Sequence, residues 1–256
     1  MLESVFLMSC LIVFVAYLQS PTFKGRVGEW AMNLGLKLRL DEGAYTILRN
    51  VTLPTVSGTT QVDYVVVSKF GIFVIEVKSM KGWIFGSENN RMWTQTVRGY
   101  KYPFFNPLRQ NYGHLKAIQA ATGLPEGCLH SVVCFVGDAI FKTEMPRNVK
   151  RGGAAITYIQ SLRQEMLTDE QVRNAILDIS KTRLPETAKT DAAHKRSLKA
   201  KSELVKDALG GDGDAGEVVC PRCGGGMVRR QVRSGTNSGR SFLGCSNYPK
   251  CRHMIK

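Results

Sequence analysis

Between residue 24 and about residue 185, the apolar positions of this chain switch between two periods, and each switch marks an element. Val27, Trp30, Ala31, Leu34 and Leu38 recur at helical spacing, which predicts an amphipathic helix running to about Leu40. Gly43 then opens an extended stretch from Tyr45 to Leu53. Val62 to Val67 and Gly71 to Lys78 have strand character, and only Ser68 to Gly71 lies between them, so a hairpin is the economical connection. Shorter strands around Trp83-Ile84-Phe85 and Arg91-Met92-Trp93 are expected to extend the same sheet.

A second helix has clear punctuation. Asn106 suits an N-cap, Pro107 suits the first helical position, and Gly123 followed by Pro125 ends the run. Leu108, Tyr112 and Leu115 mark its apolar face. Ser131 to Val136 reads as a buried strand carrying Cys134. Thr168 to Gln171 has the form of a capping box, opening a helix with Val172, Ile176 and Ile179 on its inner side. This order predicts an α/β domain in which helices cover a mixed sheet, without internal repeats.

The two ends behave differently. Val5 to Leu18 is fourteen residues without a charge, shorter than the ~20 that usually span a bilayer. With residues 1–4 and 19–22 as interfacial flanks it predicts a short transmembrane anchor over residues 1–21; a buried core helix is the competing reading. Glu3, and the lack of small residues at Tyr17-Leu18-Gln19, argue against a cleaved signal peptide. Lys24, Arg26, Lys37 and Arg39 follow the run, which keeps the body on the cytoplasmic side of an inner or plasma membrane. Residues 22–185 then form the main domain. Residues 186–216, rich in Lys, Ala, Asp and Gly, read as a tether, with a transient helix between His194 and Leu209.

The chain carries a formal +14, and the basic excess is marked at its C-terminal end. Residues 217–256 hold eight Lys or Arg against one acid. The same segment holds Cys220, Cys223, Cys245 and Cys251, spaced C-x2-C and C-x5-C across an intervening stretch. Two thiolate pairs on a ribbon make a tetrahedral Zn2+ site, and so short a module needs the metal to fold. Disulfides are the competing reading, but a cytoplasmic body disfavours them. Arg229, Arg230 and Arg240 suit a polyanion, and Phe242 and Tyr248 offer stacking faces; Phe242 equally suits a place beneath the metal. Cys220-Pro221-Arg222-Cys223-Gly224-Gly225 and Leu243-Gly244-Cys245-Ser246-Asn247-Tyr248-Pro249-Lys250-Cys251 resemble the C-terminal zinc ribbon of bacterial type IA DNA topoisomerases. That resemblance implies binding of DNA, chiefly single-stranded. It does not extend to strand passage, because nothing upstream resembles the topoisomerase body.

The chemistry of the main domain is expected at the end of the Gly71 run. Alternation places Ile72, Val74, Glu76 and Lys78 on one face of that strand. A carboxylate and an ammonium on an otherwise apolar face carry a desolvation cost. A hairpin can bring Asp63 opposite Glu76. Two carboxylates and a lysine suit a Mg2+ or Mn2+ phosphodiesterase site, with a solvated ion pair as the competing reading. The segment Gly28-Glu29, Val62 to Val67, Gly71 to Lys78, Lys81 to Gly86, Trp93 and Asn106 to Gln110 resembles the nuclease-related domain, NERD. That resemblance implies a restriction-endonuclease-like core, with Asp63 and Glu76 as metal ligands and Lys78 as the catalytic lysine. Glu29 is a candidate third acid or a charge at a helix start. Gln110 is a candidate contact to phosphate or to metal-bound water. His114, with no partner at ligand spacing in sequence, reads as structural or solvated. Cys10, Cys128 and Cys134 read as buried thiols.

The function this predicts is a membrane-tethered, metal-dependent DNA nuclease needing no small-molecule cofactor. A DNA-binding scaffold without catalysis is the rival.

Overall fold

The structure is a computed structural model that describes residues 21–56 and 58–187, and, further on, residues 190, 192, 227–231, 241–246, 248, 249, 251 and 253–255. The chain divides into two compact units, the first ending at Ser197 and the second beginning at Leu198. The apolar run at residues 5–18, Cys10, the 194–209 helix and the zinc candidates Cys220 and Cys223 lie outside the described residues. No helix among the described residues is long and apolar enough to cross a membrane.

Among its described residues the first unit has α1 (Pro21–Arg39), followed by β1 (Thr46–Thr55), β2 (Gly58–Ser68) and β3 (Gly71–Ser79). Then come β4 (Gly82–Phe85), β5 (Met92–Val97), β6 (Tyr100–Phe105) and α2 (Pro107–Thr122). The unit continues with β7 (Leu129–Val136), β8 (Ala139–Phe141), β9 (Val149–Arg151), α3 (Gly153–Ser161) and α4 (Asp169–Thr182).

Five strands form the main sheet in the order β1-β2-β3-β7-β9. β1, β2 and β3 are antiparallel neighbours, and Ser68 pairs with Gly71 across the expected hairpin. β7 and β9 run parallel to β3. On one face α1 and α3 bury Met32, Leu36, Leu40, Ile156 and Ile159 against Phe73, Ile75 and Val132. On the other, α2 and α4 bury Leu115, Ile118 and Ile179 against Ile72, Val74 and Val65. Glu76 and Lys78 belong to this second face by alternation. The result is a mixed sheet between helices, as the order of elements predicts.

The short strands depart from expectation. β4 and β5 join β6 and β8 in a separate four-stranded sheet, β6-β5-β4-β8, rather than extending the main one. The reason lies in Ile84, Trp93 and Ala139, which cover Val133, Phe135 and Val149 of the main sheet and so form a core of their own. Gly86 makes room for this: a Cβ there would meet the Trp93 ring at 2.2 Å.

The face of α1 is also corrected. Val27, Trp30, Leu34 and Leu38 are exposed, and the buried line runs through Gly28, Met32, Leu36 and Leu40. Small residues decide this rotation. A Cβ on Gly28 would meet Val136 Cγ2 at 2.5 Å, and one on Gly35 would meet Ile156 Cδ1 at 2.9 Å, so only the glycine side lets the helix sit close to the sheet.

α2 starts and stops where its punctuation places it. The Asn106 side chain accepts from Leu108 N–H, and Gly123 closes the helix in the left-handed conformation. Tyr112, expected on the inner face, is exposed beneath the Lys116 ammonium. The Thr168–Gln171 capping box of α4 makes both of its reciprocal bonds. Cys134 is buried, its thiol pushed up to about 12 by burial, and Cys128 is half-buried.

In the second unit β10 (Met227–Gln231), β11 (Ser241–Cys245) and β12 (Met254–Ile255) form an antiparallel three-stranded sheet. Cys245, Cys251 and Met227 are buried together, with Leu243 packed on them.

Candidate active site

The site begins at an irregularity in β1 and β2. Asn50 has a left-handed backbone, φ 47°, in the middle of β1. The pairing between the strands passes from Arg49–Tyr64 to Val51–Val62 without an Asn50–Asp63 pair. Alternation breaks on both strands at this point. Leu48 and Val51 face the same cluster although three residues apart, and so do Val62 and Val65. The β2–β3 ladder also stops here, with Tyr64–Ile75 its last pair.

Asp63 therefore sits at a fork where β2 leaves β3. The two-residue hairpin sets the phase of the ladder, and a regular continuation would give the Val77 N–H to the Val62 carbonyl. That N–H donates instead to Asp63 Oδ2 at 2.7 Å. A side chain fills a place that the backbone has left. Asp63 is only partly exposed, and its carboxyl is raised to about 7. Burial is the main cause and the neighbouring Glu76 charge the next, opposed by the Val77 N–H and Lys78, with Glu29 adding a further push.

Glu76 is almost fully buried and bonded on both oxygens. Lys78 Nζ lies 2.6 Å from Oε1, and His114 Nε2 lies 3.0 Å from Oε2. Burial alone would raise this carboxyl; the His114 hydrogen bond and the Lys78 charge outweigh it and hold it below the usual range. Lys78 also donates to Gln110 Oε1 at 2.8 Å. His114 continues the network through Nδ1 to Thr60 Oγ1 at 2.7 Å.

Helix α2 is held in place one residue beyond Gln110. Asn111 Nδ2 reaches Val74 O at 2.8 Å, Ser131 Oγ at 2.9 Å and Val132 O at 3.2 Å. These contacts pin α2 to β3 and β7 at the level of the site. Glu29 on α1 is half-buried on the other side, where its carbonyl accepts from Tyr64 Oη at 2.6 Å.

The structure thus brings Asp63, Glu76, Lys78 and Gln110 together and sets Glu29 within electrostatic reach. It adds His114, expected from sequence spacing to be structural or solvated, as a partner of Glu76. The available signal was its position one turn after Gln110 on the same stripe of α2; its carboxylate partner, Glu76, is far away in sequence. No group of three or more Cys, His, Asp or Glu side chains is gathered for a metal among the described residues. Two carboxylates do lie within electrostatic reach of each other, and a hard cation such as Mg2+ takes one or two of these while keeping several waters.

In the second unit Arg229 and Arg230 lie on β10, paired with Leu243 and Phe242 of β11. The Arg230 guanidinium lies 5.5 Å over the centre of the exposed Tyr248 ring. Arg240 lies outside the described residues.

Residues 24–136 match the family model of the nuclease-related domain, NERD. Residues 217–256 match the topoisomerase DNA binding C4 zinc finger. The chain therefore carries a nuclease-related domain followed by a topoisomerase-type zinc ribbon. It is 45% identical over 100 residues to an uncharacterized protein of Bacillus anthracis, an alignment covering 39% of this chain and 47% of that one. It is 38% identical over 87 residues to DNA topoisomerase 1 of Pyrococcus horikoshii, covering 33% of this chain and 11% of the topoisomerase. The chain thus spans less than half of the first relative and about a tenth of the second.

Proposed function

We propose that this protein is a Mg2+- or Mn2+-dependent nuclease that hydrolyses phosphodiester bonds in DNA. The observation that carries the reading is the placing of Asp63 at the sheet fork, bonded to Val77 N–H next to Glu76 and within its electrostatic reach, with Lys78 held against Glu76. Burial raises Asp63 most, and the nearby Glu76 charge raises it further, as two carboxylates that resist shared ionisation do. The donor set is hard oxygen, which suits Mg2+ or Mn2+. Asp63, through the oxygen not occupied by Val77, and Glu76 are the residues that would hold the ion. When bound, it supplies Lewis-acid polarisation of the phosphate and a water of lowered pKa.

The remaining residues act directly. Lys78, steadied by Gln110, places a positive charge where the phosphorane-like transition state gathers negative charge. His114 and Thr60 fix the Glu76 carboxylate in one orientation. Glu29 adds negative potential on the α1 side.

In this reading the zinc ribbon, with Cys220, Cys223, Cys245 and Cys251 as its ligands, binds DNA, chiefly single-stranded, through Arg229, Arg230, Arg240, Phe242 and Tyr248. Covalent linkage raises the concentration of substrate near the site, so even a weak ribbon contributes. The apolar run at residues 5–18 anchors the chain to a membrane with its body in the cytoplasm.

The test uses the purified full chain, zinc-loaded, with DNA and Mg2+ or Mn2+. We expect cleavage, with Glu76→Gln and Lys78→Met lowering it by about a thousand-fold, on the scale of lost charge stabilisation in a transition state. Equal activity in wild type and both variants would identify a contaminant. One observation favours a second reading: both Glu76 oxygens are already bonded and almost sealed from solvent. A DNA-binding scaffold without catalysis fits that closure, and absence of cleavage under any divalent ion would select it.

A further inference from the structure

Between Lys78 and Gln110 the chain leaves the site through β4, β5 and β6 and returns to it in α2. Both ends of this excursion are site residues, so the smaller sheet is anchored beside the site. Its inner face changes character along its length. The Trp93–Phe104 pair packs with Ile84 over Val133 and Phe135, which stand next to Glu76 and Lys78 in register on β7. On the same face the following pairs, Gln95–Tyr102 and Val97–Tyr100, run past that core. Tyr100 is 71% exposed and Tyr102 52% exposed. Both rings, on a short edge hairpin, leave more than half of their surface in solvent, which the fold itself does not require.

The tip is built to present them. Arg98 and Gly99 both have positive φ, 51° and 84°, as a type I′ turn requires. Charge adds a direction. No Asp or Glu occurs between Glu88 and Glu126, while Arg91, Arg98, Lys101 and Arg109 do, and Lys116 on α2 is taken up by its ion pair with Glu126. Rings interleaved with cations and free of acids complement a polyanion whose bases are unpaired.

We infer that the β5–β6 hairpin is a second DNA-gripping element, in which Tyr100 and Tyr102 stack on bases of single-stranded DNA while Arg98 and Lys101 neutralise its phosphates. This deepens the nuclease reading and rests on it for the direction in which the strand leads. A duplex hides the π-faces that the tyrosines need, so the grip selects unpaired strand.

The experiment uses the full chain in mild detergent, zinc-loaded and without Mg2+, so that binding is read apart from cleavage. The probes are a labelled oligothymidylate and a duplex of equal length. For Tyr100→Ser with Tyr102→Ser, we expect a loss of about ten-fold or more on the single strand and less than about two-fold on the duplex. For Arg98→Gln with Lys101→Gln, the slope of log affinity against log salt should fall by roughly 1.4 on the single strand. Because the ribbon also binds, photocrosslinking from 5-iododeoxyuridine into the hairpin peptide gives a separate readout, and crosslinks at Tyr100 or Tyr102 are expected. Unchanged affinity and slope with no hairpin crosslinks overturn the inference. So does a self-association abolished by the tyrosine pair while DNA affinity stays constant, which would make the hairpin a contact between copies. A protein that cuts DNA while its hairpin variants bind normally defeats this inference alone. One that never cuts, yet loses single strand on hairpin substitution, defeats the nuclease reading alone.

Discussion

His114 Nε2 lies 3.0 Å from Glu76 Oε2, and the two are buried together between α2 and β3. With Thr60 Oγ1 at 2.7 Å from Nδ1, both ring nitrogens have a polar partner, and Nε2–H is the one that donates to the carboxylate. A carboxylate in so little water depends on both of its donors. We expect His114→Ala to cost roughly 1–3 kcal/mol of stability, the usual penalty for an orphaned buried acceptor. It should also raise the Mg2+ concentration needed for cleavage. Thermal melts and a metal titration check this, and His114→Gln, which restores a donor, should recover part of both.

Asp63 gives stability a pH dependence of definite sign. Its carboxyl is raised to about 7 in the folded chain, so between the ordinary carboxylate range and pH 7 the folded state holds the proton more tightly. Stability from this group is therefore greatest at low pH and is lost as pH rises toward 7. Glu76 is held low and runs the other way, its contribution present above the usual carboxylate range and lost in acid. Melting curves without divalent ions should show the fall between about pH 5 and 7 set by Asp63. Asp63→Asn, which keeps an oxygen for Val77, should remove that fall. Mg2+ should remove it as well by taking the place of the proton.

Asn111 predicts a coupling between fold and site. Its amide bonds Val74 O, Ser131 Oγ and Val132 O. Asn111→Ala removes three bonds that tie α2 to β3 and β7, and about 2 kcal/mol of destabilisation is expected. Because Gln110 is the next residue, activity should fall further than the melting temperature implies. Comparison with Thr168→Ala, which loses a cap of about 1 kcal/mol far from the site, isolates the second effect.

Gly28→Ala tests the approach of α1 to the sheet. The added methyl would meet Val136 Cγ2 at 2.5 Å and Ser79 Oγ at 3.1 Å. Overpacking of this kind costs about 1–3 kcal/mol. The helix must move away, taking Glu29 with it. Denaturant unfolding measures the cost. Glu29→Gln measured in parallel shows how much of any activity loss is electrostatic.

Zinc removal should act on the second unit alone. A strong chelator, or Cys245→Ser, is expected to abolish folding of the ribbon and most single-strand affinity, since a structural zinc site supplies the folding free energy of so small a module. Circular dichroism and anisotropy report the two losses, while the main thermal transition stays in place.

Several of these features are legible in sequence because they are local. Asn106, Pro107 and Gly123 bracket α2, Thr168 and Gln171 open α4, and Ser68 to Gly71 turns the hairpin that faces Asp63 toward Glu76. Each rests on backbone chemistry within a few residues. What the sequence conceals is collective. The larger apolar stripe of α1, Val27-Trp30-Leu34-Leu38, points to solvent because two glycines on the other side allow closer contact than the larger side chains can. β4 and β5 form their own sheet because Trp93 needs a floor, and Phe135 supplies it from a strand forty residues on. His114 meets Glu76 through a contact that no spacing announces.

The left-handed turn at Asn50 has a price in cohesion. A zipper that ran on by one more tooth at this level would knit β1, β2 and β3 into unbroken cloth, hiding the Asp63 oxygens in the weave. Mending it, by giving position 50 a residue held to extended backbone, should make a sturdier molecule, because the dropped stitch is what leaves the Val77 N–H to the Asp63 carboxylate.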